Sequence, residues 1–302
     1  MADKLSLVFL GTGSAIPTRK HNHPSMLLKY KDENILIDCG EGTQRQFRFA
    51  NENPCKITKI LITHWHADHV LGLPGLFQTL MLNGYNRELK LYGPKGTKQM
   101  MSLYLELFIG RGNKLNLSVY EFDSGKIFEN EDFIIESEQM NHNTPELAYS
   151  FSIKEKNRLD KKKLAKFKIP NGPMIGELKQ GKTVEFNGKK IHGKDLIYNE
   201  EAKKISFIMD TKLNPNCNKI AKDSDILICE STYSAEEKEL AEEHFHLTCE
   251  QAANLAKQAK AKKLILTHLS QKHEAHPDLI LKEAKKIFKN TVIAEDLMKI
   301  NI

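Results

Sequence analysis

No run of about 18 apolar residues occurs in this chain of 302 residues, so no helix is expected to span a bilayer. The N-terminus, Met1-Ala2-Asp3-Lys4-Leu5, has neither the basic start nor the apolar stretch of a secretory signal. Cysteines are few, odd in number and scattered (Cys39, Cys55, Cys217, Cys229, Cys249). Several fall in apolar runs, which points to reduced core residues in a cytoplasmic setting rather than a disulfide framework. No internal repeat or low-complexity tract appears. The glycines of Gly11-Thr12-Gly13-Ser14-Ala15-Ile16-Pro17-Thr18 are not a dinucleotide fingerprint, because no third glycine follows and no helix opens. Small residues there suit a close backbone approach to a ligand instead.

What is present is enough apolar content, 40% of residues, for one large core or two modest ones. The net charge of +6 is unevenly spread, since residues 154–194 hold thirteen Lys/Arg against four Asp/Glu. Within that segment, Lys154–Lys179 is charged, turn-rich around Ile169–Lys179 and poor in residues to bury. It is expected to form an arm protruding from the body, suited to a polyanion.

The densest chemistry lies in Thr63-His64-Trp65-His66-Ala67-Asp68-His69, an H-x-H-x-D-H motif directly after the apolar run Lys59-Ile60-Leu61-Ile62-Thr63. That run reads as a buried strand. Imidazole and carboxylate together suit borderline cations, chiefly zinc. If His64 and His66 continue the strand, period-two alternation points both to one side. Asp68 and His69, on the turn into the next helix, are displaced enough to serve a second ion. Further candidate ligands sit at the ends of other predicted strands: His142 after Phe133–Glu138, Asp210 after Lys204–Met209, and His268 after Lys263–Thr267. Asp38, at the end of the predicted strand Asn34–Asp38, reads equally as a partner for a ligating histidine or as a helix cap. Strands and helices alternate, and the ligands gather at strand C-terminal ends. The expectation from pattern alone is a layered α/β hydrolytic metalloprotein.

The H-x-H-x-D-H motif, with a later His, Asp and final His, resembles the metallo-β-lactamase superfamily. Gly11–Thr18, Asp38-Cys39-Gly40-Glu41-Gly42-Thr43, the pair Glu230 and His246, and the long insert with Gly172-Pro173 and Gly176 narrow the resemblance to tRNase Z over essentially the whole chain. The resemblance implies a four-layer αβ/βα sandwich of two mixed sheets with a protruding basic arm at 154–179. It implies two zinc ions per subunit, one held by His64, His66 and His142, the other by Asp68, His69 and His268, with Asp210 between them. Asp68, Glu230 and His246 would be catalytic, Glu230 orienting His246. Precursor tRNA would be the substrate and a homodimer the working form. Thr18, Asn22, Lys212 and Lys272, with Gly172 and Pro173 on the arm, are the implied substrate-binding positions. Where the family commonly carries Arg, this chain has His21, Lys212 and Lys272, and lysine lacks the bidentate fork of arginine. The competing expectations are a small-molecule phosphodiesterase or other ester hydrolase of the same fold, and a nucleic-acid-binding scaffold without chemistry.

Overall fold

The computed structural model of the chain describes residues 5–110, 115–170 and 172–302. Met1–Lys4 of the N-terminus and Asn171 of the turn-rich stretch lie outside the described residues.

Period-two alternation gives the central strands two apolar faces. In β1 (Leu5–Gly11), Leu5, Leu7 and Phe9 face one core while Val8 and Leu10 face another. The first sheet continues through β2 (Ser25–Tyr30), β3 (Glu33–Ile37), β4 (Lys59–Leu61), β5 (Leu89–Gly93) and β6 (Leu117–Glu121). Pairing is antiparallel from β1 to β3 and parallel from β3 to β6. The second sheet holds β7 (Gly125–Glu129), β8 (Phe133–Gln139) and β9 (Leu147–Ile153). An insert then carries β10 (Lys156–Leu159), β11 (Thr183–Phe186), β12 (Lys189–His192) and β13 (Ile197–Glu200). The sheet resumes with β14 (Lys203–Ile208), β15 (Ile226–Glu230), β16 (Leu264–Thr267) and β17 (Thr291–Ile293), while β18 (Lys299–Asn301) returns to the edge of β1.

The inner faces meet in one core, where Phe9, Tyr30 and Ile37 pack with Phe133, Phe151, Phe207 and Ile228. The Tyr30 ring stands edge-on to Phe133 and Phe151, at centroid distances of 6.2 and 5.8 Å. Truncating such a ring to alanine costs about 3–5 kcal/mol. Helices Thr43–Phe49, Leu73–Leu82 and Thr97–Tyr104 cover the outer face of the first sheet through Phe47, Leu76, Phe77 and Met101. Helices Pro215–Ala221, Cys249–Gln258 and Pro277–Ile287 cover the second through Ile220, Leu255 and Ile280. This is the expected αβ/βα sandwich of two mixed sheets. All five cysteines are free, and no helix among the described residues is long and apolar enough to cross a membrane.

Some elements escape a reading of the sequence. Strand β7, Gly-Lys-Ile-Phe-Glu, is mostly exposed and too short to show a period. Its partner β8 makes it a strand. The helix from Thr97 is α-helical only to Tyr104 and widens to a π-helix at Leu105–Ile109.

The insert differs most from expectation. Its extent is not Lys154–Lys179, because β10 pairs with β13 and closes a unit that runs to Glu200. Nor does it lack buried residues: Leu178, Val184, Ile191 and Leu196 form a small core, flanked by Leu159, Phe167 and Phe186. These residues are spaced so widely among lysines that no local window shows them as a core. At its base, Arg158 donates from Nε to Glu200 (2.6 Å) and from Nη2 to Asp132 (3.0 Å). Lys31 and Lys156 also pair with Asp132. The chain leaves and re-enters the sheet at facing positions, Ile153 opposite Lys203.

Candidate metal centre

The expected ligands come together on one rim. His64 and His66 lie in the loop after β4, beyond Leu61 where the strand ends. Loop geometry, rather than the strand alternation expected from sequence, therefore brings them together. His66 is the N-cap of the short helix Ala67–Val70, which carries Asp68 and His69. His142 follows β8, Asp210 follows β14, and His268 follows β16 directly. Asp38 and His268 hold positive φ, 54° and 59°, a conformation that costs free energy in non-glycine residues and persists where surroundings enforce it. At His268 the enforcing contact is its N–H donating to the Thr12 carbonyl at 2.9 Å.

Among the described residues the expected ligands form two donor groups with atoms mutually within 4.8 Å, His64, His66, His142 and Asp210, then Asp68, His69, Asp210 and His268, and Glu230, His246 and His268 form a third. Asp210 belongs to the first two. Its Oδ2 is 3.7 Å from His64 Nε2 and 3.5 Å from His69 Nε2, and its Oδ1 is 3.3 Å from His268 Nε2. Asp68 Oδ2 stands 3.4 Å from His69 Nε2 and 3.5 Å from His268 Nε2. Nε2 of His64, His69 and His268 and Oδ1 of Asp210 are buried without a hydrogen-bond partner among the described residues. Buried orphans of this kind are rare in folded proteins. Four of them converging on one space fit a cation.

The electrostatics divide the donors. Burial pushes His64 well below the ordinary imidazole range and His142 down to about 4, leaving neutral rings with lone pairs to donate. Burial alone would raise Asp68 and Asp210. The neighbouring imidazoles overcome it, His69 and His268 in both cases, and hold both carboxyls well below the usual carboxylate range. Burial would lower His69 too, but Asp210, Asp38 and Asp68 outweigh it and hold that ring well above the ordinary imidazole range, so a cation bound there competes with a proton.

Behind the ligands sits a layer of orienting groups. Asp38 accepts from His69 Nδ1 at 2.8 Å and from the Thr63 N–H and hydroxyl, each at 2.8 Å. It is therefore a partner for His69 and not a helix cap; the following helix is capped by Gly42 without a side-chain bond. His142 Nδ1 donates to the Phe245 carbonyl at 3.2 Å. His268 Nδ1 lies 3.0 Å from the Thr232 hydroxyl, which donates to Glu230 Oε2 at 2.8 Å. Glu230 Oε1 accepts from His246 Nδ1 at 3.0 Å and from the Thr211 N–H at 2.9 Å. The His246 ring stands between both donor groups, 5.7 Å from His142 and 5.6 Å from His268 by centroid. Thr63, Thr232, the Phe245 carbonyl and a buried Glu146 were not singled out from sequence. A threonine beside a ligand carries no chemical signature until its neighbours are known.

The expected substrate-binding positions scatter around this centre. Thr18 lines a cavity of about 680 Å³ shared with Thr12, His21 and Ser270, and its hydroxyl accepts from the Lys20 and His21 N–H groups. Asn22 donates from its amide to the Glu41 carbonyl at 2.7 Å and so braces the loop. Lys212 rests its ammonium 4.1 Å from the Phe245 ring centroid. The exposed Lys272 lies 3.8 Å from Glu237. Gly172 and Pro173 open helix Pro173–Lys179 on the insert, away from the others in sequence and fold.

Comparison with known proteins places this geometry. A family model described as Anti-Pycsar protein Apyc1 matches residues 5–161, ending just past the first strand of the insert. The ribonuclease Z of Bacillus subtilis (strain 168) is 37% identical over 307 residues, covering 99% of both chains. That of Methanosarcina acetivorans is 35% identical over 301 residues, 99% of this chain and 98% of its own. The solved structure of human short-form tRNase Z aligns with a TM-score of 0.71 at 26% identity, over 98% of each chain. Full-length likeness in sequence and in fold, around a rim of metal-ligating side chains, makes this chain a member of the ribonuclease Z family of metallo-β-lactamase-fold hydrolases.

Proposed function

We propose that the protein is the endoribonuclease that removes the 3′ trailer from precursor tRNA, leaving a 3′-hydroxyl on the tRNA and a 5′-phosphate on the trailer. The observation that carries this reading is a phosphodiesterase-type donor rim joined to a lysine-rich insert, which a small substrate does not need. His64, His66 and His142 would hold one zinc ion, Asp68, His69 and His268 a second, with Asp210 shared. Bound there, two zinc ions would supply Lewis-acid activation of solvent and charge compensation on the phosphate. Asp68, ionised and at the rim, accepts the proton released by the attacking water. His246, held by Glu230 through Nδ1, keeps Nε2 to donate a proton to the departing 3′-oxygen. Thr18, Asn22, Lys212 and Lys272 border the RNA 3′ end. The insert, with Gly172 and Pro173, grips the tRNA body by phosphate contacts that add affinity without reading sequence.

A homodimer in the cytoplasm is the proposed working form. Leu103, Leu107 and Phe108 are exposed on the helical segment 97–109, and Leu82 at the end of the neighbouring helix is 84% exposed. Apolar groups exposed together favour a protein partner over solvent.

The competing reading is a phosphodiesterase acting on small molecules, which the same donor rim would serve. The test is a side-by-side assay of precursor tRNA, a cyclic nucleotide and bis(p-nitrophenyl) phosphate. The proposal expects kcat/KM for precursor tRNA to exceed the others by orders of magnitude, with one cut at the trailer junction. A preference for the small diesters would refute it.

A further inference from the structure

Glu146 is a carboxylate without an evident task. Its side chain is fully buried, and among the described residues neither oxygen has a hydrogen-bond partner. It lies at the start of β9, where the Leu147 N–H donates to the Thr63 carbonyl at 2.9 Å and pins residue 146 beside the metal motif. The closest cationic or ring nitrogen recorded for it is His64 Nδ1, 3.9 Å from Oε1.

His69 supplies the comparison within the same site. Its Nδ1 donates to Asp38, which leaves Nε2 facing the donor group. His64 has a poorer arrangement. Thr63 spends its single hydroxyl proton on Asp38, and its oxygen is then shared between His64 Nδ1 at 3.1 Å and His69 Nδ1 at 3.4 Å. Glu146 is the carboxyl on the His64 side of that shared hydroxyl. A shift of about 1 Å would bring its oxygen to ordinary hydrogen-bond distance. Either protonation form of the carboxyl keeps a C=O acceptor, so the contact does not depend on how Glu146 titrates.

We propose that Glu146 is a positioning residue for His64, accepting the imidazole Nδ1–H so that Nε2 is held toward the metal. The inference rests on the reading of His64 as a ligand. Carboxylate partners of ligating histidines typically change metal affinity by about 10–100-fold when removed.

The test compares Glu146→Leu, which keeps bulk and removes the acceptor, with Glu146→Gln, which keeps both. Zinc affinity is measured by chelator competition, and ligand geometry by the visible absorption of the cobalt(II)-substituted protein. Glu146→Leu is expected to bind zinc about 10–100-fold more weakly and to alter the cobalt spectrum. Glu146→Gln is expected to recover affinity to within a few-fold. A folded Glu146→Leu protein with wild-type affinity and spectrum overturns the proposal. Should Glu146→Leu fail to fold, Glu146→Met, which is unbranched and also lacks the acceptor, is read in the same two ways, and wild-type affinity and spectrum in it overturn the proposal equally. If His64→Ala keeps its full zinc content, the ligand reading itself falls. If His64→Ala loses zinc while Glu146→Leu does not, only the present inference falls.

Discussion

At the scale of single residues, His246 shows how a buried carboxylate sets a proton. Burial alone would strip the ring of its charge, but Glu230 at 3.0 Å, aided by Asp210, pushes it up to about 9. A general acid must still be protonated at the working pH, and this one is so through neutrality. His246→Ala should therefore retain its metal content by elemental analysis and lose about 10²–10⁴-fold in kcat. Loss of metal in that variant would make His246 a ligand instead. Glu230→Gln removes the charge that holds the proton. The pH–rate profile of that variant should lose its activity on the alkaline side at lower pH than the wild type. An unmoved alkaline limb would contradict the assignment. Asp38, equally a cap or a partner by sequence, is settled by its 2.8 Å contact with His69.

Among elements, the insert departs furthest from a linear reading. Lysines are legible one by one, so its charge was evident. Its core was not, because Leu159, Leu178, Val184, Ile191 and Leu196 meet only after β10 and β13 pair. Its base is a charged clamp of Arg158, Asp132 and Glu200. The facing positions of Ile153 and Lys203 allow a short turn to replace it without breaking the sheet. Deletion of residues 156–200 with such a turn should raise KM for precursor tRNA at least tenfold and leave hydrolysis of bis(p-nitrophenyl) phosphate nearly unchanged. Equal losses on both substrates would show that the insert supports the rim rather than the RNA. The expected strand positions of His64 and His66 failed for a related reason: β4 stops at Leu61, and only the folded loop carries the two rings together.

For the molecule as a whole, the metal centre lies on both sheets, with Asp38, His64 and His69 from the first and His142, Asp210 and His268 from the second. A cation held there links the two halves and binds the folded state alone. At a hundredfold excess over its dissociation constant such an ion adds about 2.7 kcal/mol. Chelation should then lower the melting temperature by roughly 5 °C, read by circular dichroism, and zinc should restore it. No change on chelation would mean that the donors hold no ion. The exposed Leu107 lies on the proposed dimer face. Leu107→Asp should shift the sedimentation coefficient from dimer to monomer while the melting temperature of the fold stays within a few degrees. A wild-type monomer would remove that face from consideration.

Residue identity and spacing alone determined the ligand types, the H-x-H-x-D-H cluster, the rim of strand ends and the lysine-rich insert, because donor chemistry and apolar runs are local properties of a chain. Tertiary structure decided which group stands behind which. Thr63, Thr232, the Phe245 carbonyl and Glu146 acquire their roles from contacts that link distant positions. Those contacts depend on sheet register and loop path, and a hydrogen bond is made or lost over about half an ångström, far finer than any sequence pattern resolves.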